Sequence, residues 1–434
     1  VRRVVFRVIM AVVLCFFLTA ATAPYWLSLS GVPRNLRVFP GMDLSLKLRA
    51  PLRVFDAAGR RVEFFNTSDL GSTTYQVSLF PWLPLAEVVV DVVPLIRLYP
   101  GGQSIGVLLS SDGLIVNQVG GVLGLDGVER FPAKEGGIQP GDILLSIEGH
   151  KLRRPEQVSE IINSYGEKKK SLQVVVKRQN RTFTCSIKPV KAKRADVYGR
   201  QSVHYLLGVY LEDPAAGVGT MSFYDEKTGR FGALGHTITD SLGRPIRIVG
   251  GSIVEATIDS VRLGLRGSPG EKLGFFQGEQ DVLGSIDANT AFGIYGQLAA
   301  IPDHSCFQEP LPVAFAHQVK EGPALIYTVL QGRRVESFSV EIIKVVNQTK
   351  PSDKGIIIQV TDERLLGETG GIVQGMSGSP IVQNGMLVGA VTHVFVNDPT
   401  KGYGSFAEWM VYEAGIAEEL PANNHLRGKV FFCM

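Results

Sequence analysis

"GMSGSPIVQNGMLVGAVTH", residues 375–393, sets a turn of small residues against two apolar runs joined by Asn384-Gly385. The turn offers two hydroxyls, Ser377 and Ser379. The runs read as strands, and Asn-Gly between them predicts a type I′ hairpin, because both central positions need positive φ. Gly-X-Ser-Gly-X-Pro is also the form of the nucleophile turn in trypsin-like serine proteases, where small flanking residues let a substrate carbonyl approach the backbone. On that alignment Ser377 is the nucleophile, the N–H groups of Gly375 and Ser377 form the oxyanion hole, and Ser379 is a turn residue. A purely structural hairpin would use the same letters, so the turn needs partners elsewhere in the chain.

Working outward, 434 residues at 45% hydrophobic can bury the cores of more than one domain. Lys+Arg of 44 against Asp+Glu of 41 leaves a net charge of +3, and no basic stripe with interleaved aromatics argues for nucleic acid. The 49 glycines and many short β-branched runs favour a mainly β chain with some helix.

The N-terminus stands apart. Arg2, Arg3 and Arg7 precede an uncharged run from Val8 to Ala23, followed by Tyr25 and Trp26. That run suits a signal sequence and falls short of the roughly 20 residues of a full span unless it continues through Leu27. We expect residues 1–30 to act as a membrane anchor with the rest exported. Cys15, Cys185, Cys306 and Cys433 show no metal-ligand spacing, no zinc site is expected, and no disulfide pairing follows from the sequence.

Three segments follow. Residues 31–101, including "EVVVDVVPLIRLYP", read as a small β-rich spacer. Residues 102–194 resemble a PDZ domain, most specifically in "GGIQPGDILLSIEG" and in a helix with Val158, Ile161 and Ile162 on one face. In that family a peptide adds as a strand beside a glycine-rich loop; the matching stretch here is Ser104, Ile105, Gly106 and Val107. "VKAKRADVYGRQ" reads as a linker with a boundary near Ala195. Residues 195–434 then read as a barrel or sandwich, with little helical signal before "AEWMVYEAGIAEEL".

A serine nucleophile needs a base and an acid to orient it. His236 in "GALGHTITD" opens the same region; His304, His317 and His393 are rivals, and His150, His204 and His425 lie outside its compact part. Among carboxylates Asp362 precedes the turn, with Asp240 and Asp259 as alternatives. Spacing does not choose between them.

Resemblance does. Across the N-terminal segment, the PDZ segment and the C-terminal region the chain resembles the stage IV sporulation protein B peptidases of endospore-forming bacteria. The resemblance is carried by "GGQSIGV", "AAGVGTMSFYD", "GALGHTITD", "NTAFGIYGQL", "TGGIVQGMSGSPIVQNG" and "GAVTHVFVNDPTKGYG". It implies an N-terminal membrane anchor, a PDZ domain and a chymotrypsin-type β-barrel serine peptidase domain. It also implies His236 as general base, Asp362 as orienting acid and Ser377 as nucleophile, with no cofactor and no metal. The His, Asp, Ser order is that of chymotrypsin. The expected partners are the protein itself through self-cleavage, a membrane-anchored regulator of the complex that processes pro-sigma-K, a PDZ peptide ligand and the membrane. The expected location is the space between the forespore membranes. A noncatalytic PDZ adaptor and a quality-control protease are the competing readings; in the familiar quality-control proteases the PDZ domain follows the catalytic one. With histidine as base, activity should fall on acidification around pH 6.5.

Overall fold

The computed structural model describes Met10 and residues 35–417, apart from 43–44, 46–47, 49–51, 81–82, 112, 154, 180, 196–200, 213–215, 241–242, 247, 277–280, 304–305, 347 and 349–350. The expected anchor, Cys15, His304, His425 and Cys433 lie outside the described residues. Among the described residues no helix is long and apolar enough to cross a membrane.

The chain divides into two units, Val1–Ile96 and Arg97–Met434. In the first, a five-stranded sheet runs in the order Asn35–Val38, Leu83–Val92, Gly71–Phe80, Arg53–Phe55, Arg61–Val62. Its valine run alternates as a half-buried strand should: Val88, Val90 and Val92 are buried while Val89 and Asp91 are not. Phe65 and Tyr75 close that core edge to face, with ring centroids 4.6 Å apart.

The second unit holds a PDZ fold and two closed barrels. The PDZ sheet is antiparallel in the order Arg181–Ile187, Leu172–Arg178, Ile143–Ile147, Leu114–Val119, Val209–Glu212. Helix Pro155–Gly166 buries Val158 and Ile162, the face expected from their spacing. The "IQPGD" turn is held by buried Asp142, whose carboxylate takes two bonds from Arg178, at 2.7 and 2.8 Å. A bidentate pair of this kind fixes geometry as well as neutralising the buried charge.

Two boundaries differ from the sequence-based ones. Residues 102–111 do not open the PDZ fold. Strand Ser104–Ser111 lies between Ala216–Tyr224 and Ile248–Glu255 in the first barrel, and Arg97–Pro100 also pairs with Ala216–Tyr224. The expected linker is ordered where it is described: Val190–Ala195 and Gln201–Leu206 form an antiparallel hairpin, and Val209–Glu212 then joins the PDZ sheet. The PDZ fold is therefore an insertion within the first barrel rather than a domain ahead of it.

That barrel closes through Ser104–Ser111, Ala216–Tyr224, Arg230–Ala233, Gly293–Leu298, Val282–Thr290 and Ile248–Glu255, the last returning to the first. The second closes through Gly322–Thr328, Glu336–Val345, Ile356–Val360, Asp398–Phe406, Met386–Phe395 and Pro380–Gln383. Ile326, Phe338, Ile342, Ile358, Ile381 and Val391 pack its interior. Closure leaves neither barrel with an open edge, and six-stranded rings are narrow enough for side chains to fill. The hairpin predicted at Asn384-Gly385 is present, with φ of 51° and 74°.

The insertion makes a test. A fragment starting at residue 195 lacks a central strand of the first barrel and should lose that barrel's share of the cooperative thermal melt by circular dichroism. A fragment starting at residue 97 should melt cooperatively, since a domain with only about 5–15 kcal/mol of net stability cannot lose an interior strand.

Candidate active site

The turn Gly375–Ser379 sits where the two barrels meet. Met376 is driven into the second core, which anchors the turn and pushes its neighbours outward. Met376, Gly378 and Ser379 donate their N–H groups to Val373, Val391 and Met376 carbonyls at 3.1, 2.7 and 2.9 Å. Among the described residues, no backbone carbonyl takes the N–H of Gly375 or Ser377, the two expected oxyanion donors. Gly378 has φ of 97°, and a Cβ there would lie 1.9 Å from the Thr220 carbonyl oxygen, so only glycine fits. Ser379 is fully buried and its hydroxyl has no hydrogen-bond partner among the described residues; Ser377 is half-buried and faces the site.

The Ser377 hydroxyl donates to the Thr392 carbonyl at 2.7 Å. His393 follows on the same strand, and its ring lies 4.6 Å, centroid to centroid, from that of His236. Gly235 carries His236 toward this strand; a Cβ on it would lie 2.9 Å from Thr392 Cγ2. His236 Nδ1 donates to the Thr237 carbonyl at 2.8 Å. A carbonyl can only accept, so the proton sits on Nδ1 and Nε2 keeps its lone pair, the tautomer a general base needs. The loop after His236 is held by Asn289, which accepts from the Ile238 N–H at 2.8 Å and donates to the Ile238 and Ile246 carbonyls at 2.9 and 3.0 Å. Sequence reading passed over Asn289 because a lone asparagine in "IDANT" gives no chemical signal.

Both histidines are kept neutral. Burial lowers the His236 pKa, with the Thr237 bond and the Asp353 charge opposing it. Burial and the neighbouring His236 push His393 down to about 4.

Asp362 is placed differently from expectation. It is the N-cap of helix Glu363–Thr369: its carboxylate accepts from the Leu365 N–H at 3.0 Å and from the Ser339 N–H at 3.3 Å. Free N–H groups at a helix start claim a nearby carboxylate, and that is the physical reason the side chain is engaged here rather than on His236. The acid that bears on both rings is Asp353, with Oδ2 3.8 Å from His393 Nδ1. Its main-chain carbonyl accepts from the Thr392 hydroxyl at 3.1 Å, which ties it to the strand holding Ser377.

The expected PDZ ligand residues are not in the PDZ fold. Ser104, Ile105, Gly106 and Val107 are buried strand residues of the first barrel, whose N–H and carbonyl groups pair with Ala216–Tyr224 and Ile248–Glu255. A glycine flanked by apolar residues is a weak signal, and barrel strands satisfy it equally well. One edge of the PDZ sheet is Val209–Glu212, which follows Leu207 and Gly208 (φ 68°). "LLGV" at 206–209 is the glycine-loop signal that could have located it.

The remaining candidates are elsewhere. His150 contacts Tyr165 and His204 contacts Ser202, His317 stacks on Phe315, and Asp240 is tied to Arg244. Cys185 and Cys306 are free thiols, each pushed up in pKa chiefly by burial. Among the described residues no group of three His, Cys, Asp or Glu side chains could hold a metal ion.

The profile described as SpoIVB peptidase S55 matches residues 203–411, and a PDZ domain profile matches residues 126–176. Residues 203–411 therefore carry a domain of the SpoIVB peptidase family. With that domain the chain is a serine peptidase. No curated protein matches it. Among solved structures it is similar to the PDZ domain of an SdrC-like protein from Listeria monocytogenes, with 23% identity, 24% of this chain and 90% of that chain covered, and a TM-score of 0.17. The active form of the Rv3671c protease of M. tuberculosis matches with 16% identity over 48% of this chain and 77% of that one, TM-score 0.26. An inactive form of the same protease matches at 16% identity over 46% and 84%, TM-score 0.24. The span matched to the SpoIVB peptidase begins after the first-barrel strand Ser104–Ser111.

Two outcomes are expected. A base whose pKa is lowered stays neutral to lower pH, so peptidase activity should fall on acidification with a midpoint below 6.5, measured as kcat/KM against pH. Asp353→Asn should lower kcat/KM by about tenfold or more, whereas Asp362→Asn, which keeps a good cap, should change it little. A large loss in a well-folded Asp362→Asn protein would return the orienting role to Asp362.

Proposed function

We propose that this serine peptidase is a membrane-tethered signalling enzyme of spore formation. It cuts itself and then a membrane-anchored regulator that restrains the protease processing pro-sigma-K. The observation that carries the catalytic part is the juxtaposition of the Ser377 turn with His236, whose Nε2 is free to accept a proton. The family supports the signalling part, as does a PDZ fold inserted into the catalytic barrel itself.

In the reaction, Ser377 Oγ leaves the Thr392 carbonyl, gives its proton to His236 Nε2 and attacks the scissile carbonyl. The Gly375 and Ser377 N–H groups take the oxyanion. His236 then protonates the leaving amine, and water, deprotonated by His236, releases the acyl group. Asp353 faces the imidazolium as it forms. A peptide of the target, or of the protein's own N-terminal region, adds along Val209–Glu212 of the PDZ sheet and holds the scissile bond near the barrels. Residues 1–30 act as the anchor, placing the catalytic unit between the forespore membranes.

The test is parallel expression of wild type, Ser377→Ala and Ser379→Ala in a membrane-competent host, read by intact mass and N-terminal peptides. Truncation in wild type and Ser379→Ala but not in Ser377→Ala is the expected result. Identical processing in all three would assign the trimming to host proteases and favour the adaptor reading.

A further inference from the structure

Lys272 lies on strand Glu271–Phe275 and is 4% exposed. Among the described residues its ammonium is hydrogen-bonded to three hydroxyls: Thr328 Oγ1 at 2.6 Å, Ser104 Oγ at 3.4 Å and Thr220 Oγ1 at 3.5 Å. Each hydroxyl is itself buried. Three N–H donors meet three acceptors, which suits a charged amine better than a neutral one. An interior ammonium without a carboxylate is costly, and function is a common reason for one to be kept.

Its position says what the function is. The Lys272 main-chain N–H donates to the Gln374 carbonyl at 2.9 Å, and its side-chain stem lies beneath Gly375, where a Cβ would meet it at 3.1 Å. Thr220 accepts from the ammonium and donates its own hydroxyl to the Gly375 carbonyl at 2.7 Å. The Thr220 N–H holds the Ser377 carbonyl at 2.9 Å. The hydroxyl tripod also joins both barrels: Ser104 and Thr220 belong to the first, Thr328 to the second.

We propose that Lys272 is a positioning residue for the oxyanion turn, its ammonium acting through Thr220 to fix the Gly375 peptide and setting a positive charge behind the site where the oxyanion forms. This rests on the reading of Ser377 as nucleophile. Peptide dipoles aimed in advance at a developing negative charge are worth more in a dry site than in water. Burial pushes the Lys272 pKa down to about 7, so the charge is lost as pH rises through that value. The charged groups around it are otherwise engaged: Glu271 pairs with Arg262 and Glu255 with Arg333, each at 2.6 Å. Cys306 and Tyr327, near Thr328, are raised in pKa by burial and stay neutral. Across the turn, His236 is neutral above its lowered pKa. Activity should therefore rise with pH through His236 and fall again as Lys272 loses its proton.

The experiment uses the full chain and a fluorophosphonate probe, in which serine oxygen displaces fluoride from phosphorus and the hydroxyl proton passes to the histidine. Labelling rates from pH 5 to 9 are compared for wild type, Lys272→Met, Thr220→Val, Thr220→Ser and Ser377→Ala. Wild type should give a bell-shaped profile. Lys272→Met should label about tenfold more slowly and lose the descending limb near pH 7. Thr220→Val should share the rate loss and Thr220→Ser should not. Wild-type rates and profile in a folded Lys272→Met protein would overturn the proposal. If Lys272→Met fails to fold, a wild-type rate in Thr220→Val overturns it instead. Absence of labelling in wild type, or labelling undiminished in Ser377→Ala, would instead remove the nucleophile assignment on which the proposal rests.

Discussion

Thr220 holds the Ser377 turn from behind. Its N–H binds the Ser377 carbonyl, its hydroxyl binds the Gly375 carbonyl, and its own carbonyl accepts from the Leu234 N–H two residues before His236. One residue of the first barrel thus fixes both the serine turn of the second and the approach to the histidine. That closeness is why Gly378 has no room for a side chain. The geometry survives only because each barrel is closed and filled, so that neither can slide without breaking its own ladder.

The site is set for rest as much as for reaction. Ser377 is hydrogen-bonded to a main-chain oxygen, and His236 directs its proton away from the serine toward Thr237. His236 already carries the tautomer in which Nε2 can accept a proton. Burial favours the neutral rings, and the Asp353 charge opposes it.

Local features were legible in the sequence and long-range ones were not. Asn384-Gly385 gave its turn type, Val158 and Ile162 their helical face, and Ser377 over Ser379 the serine that faces the site, because each depends on neighbours a few residues away. Asp362 was readable as a cap: "TDERLLGETGG" starts with a capping residue and ends at Gly370, φ 74°. Asp353 in "SDKG" and Lys272 in "GEKLGF" carry no local signal, since both are defined by what folds against them. The assignment of Ser104–Val107 failed for the same reason: partners more than a hundred residues away decide which sheet those residues enter.

The insertion also dictates an order of assembly. In the PDZ sheet, Ile115 pairs with Glu212, and in the barrel Leu108 pairs with Ala216. The two strands that leave the barrel are therefore the two that run side by side in the PDZ fold. Joining residues so far apart in an open chain is entropically slow, but a PDZ fold that has already formed delivers both ends together. During synthesis the PDZ portion emerges before most of the barrel strands. The Ser377 turn and the strand Met386–Phe395 that holds it come near the end of the chain. A chain interrupted before them carries the PDZ fold without that turn.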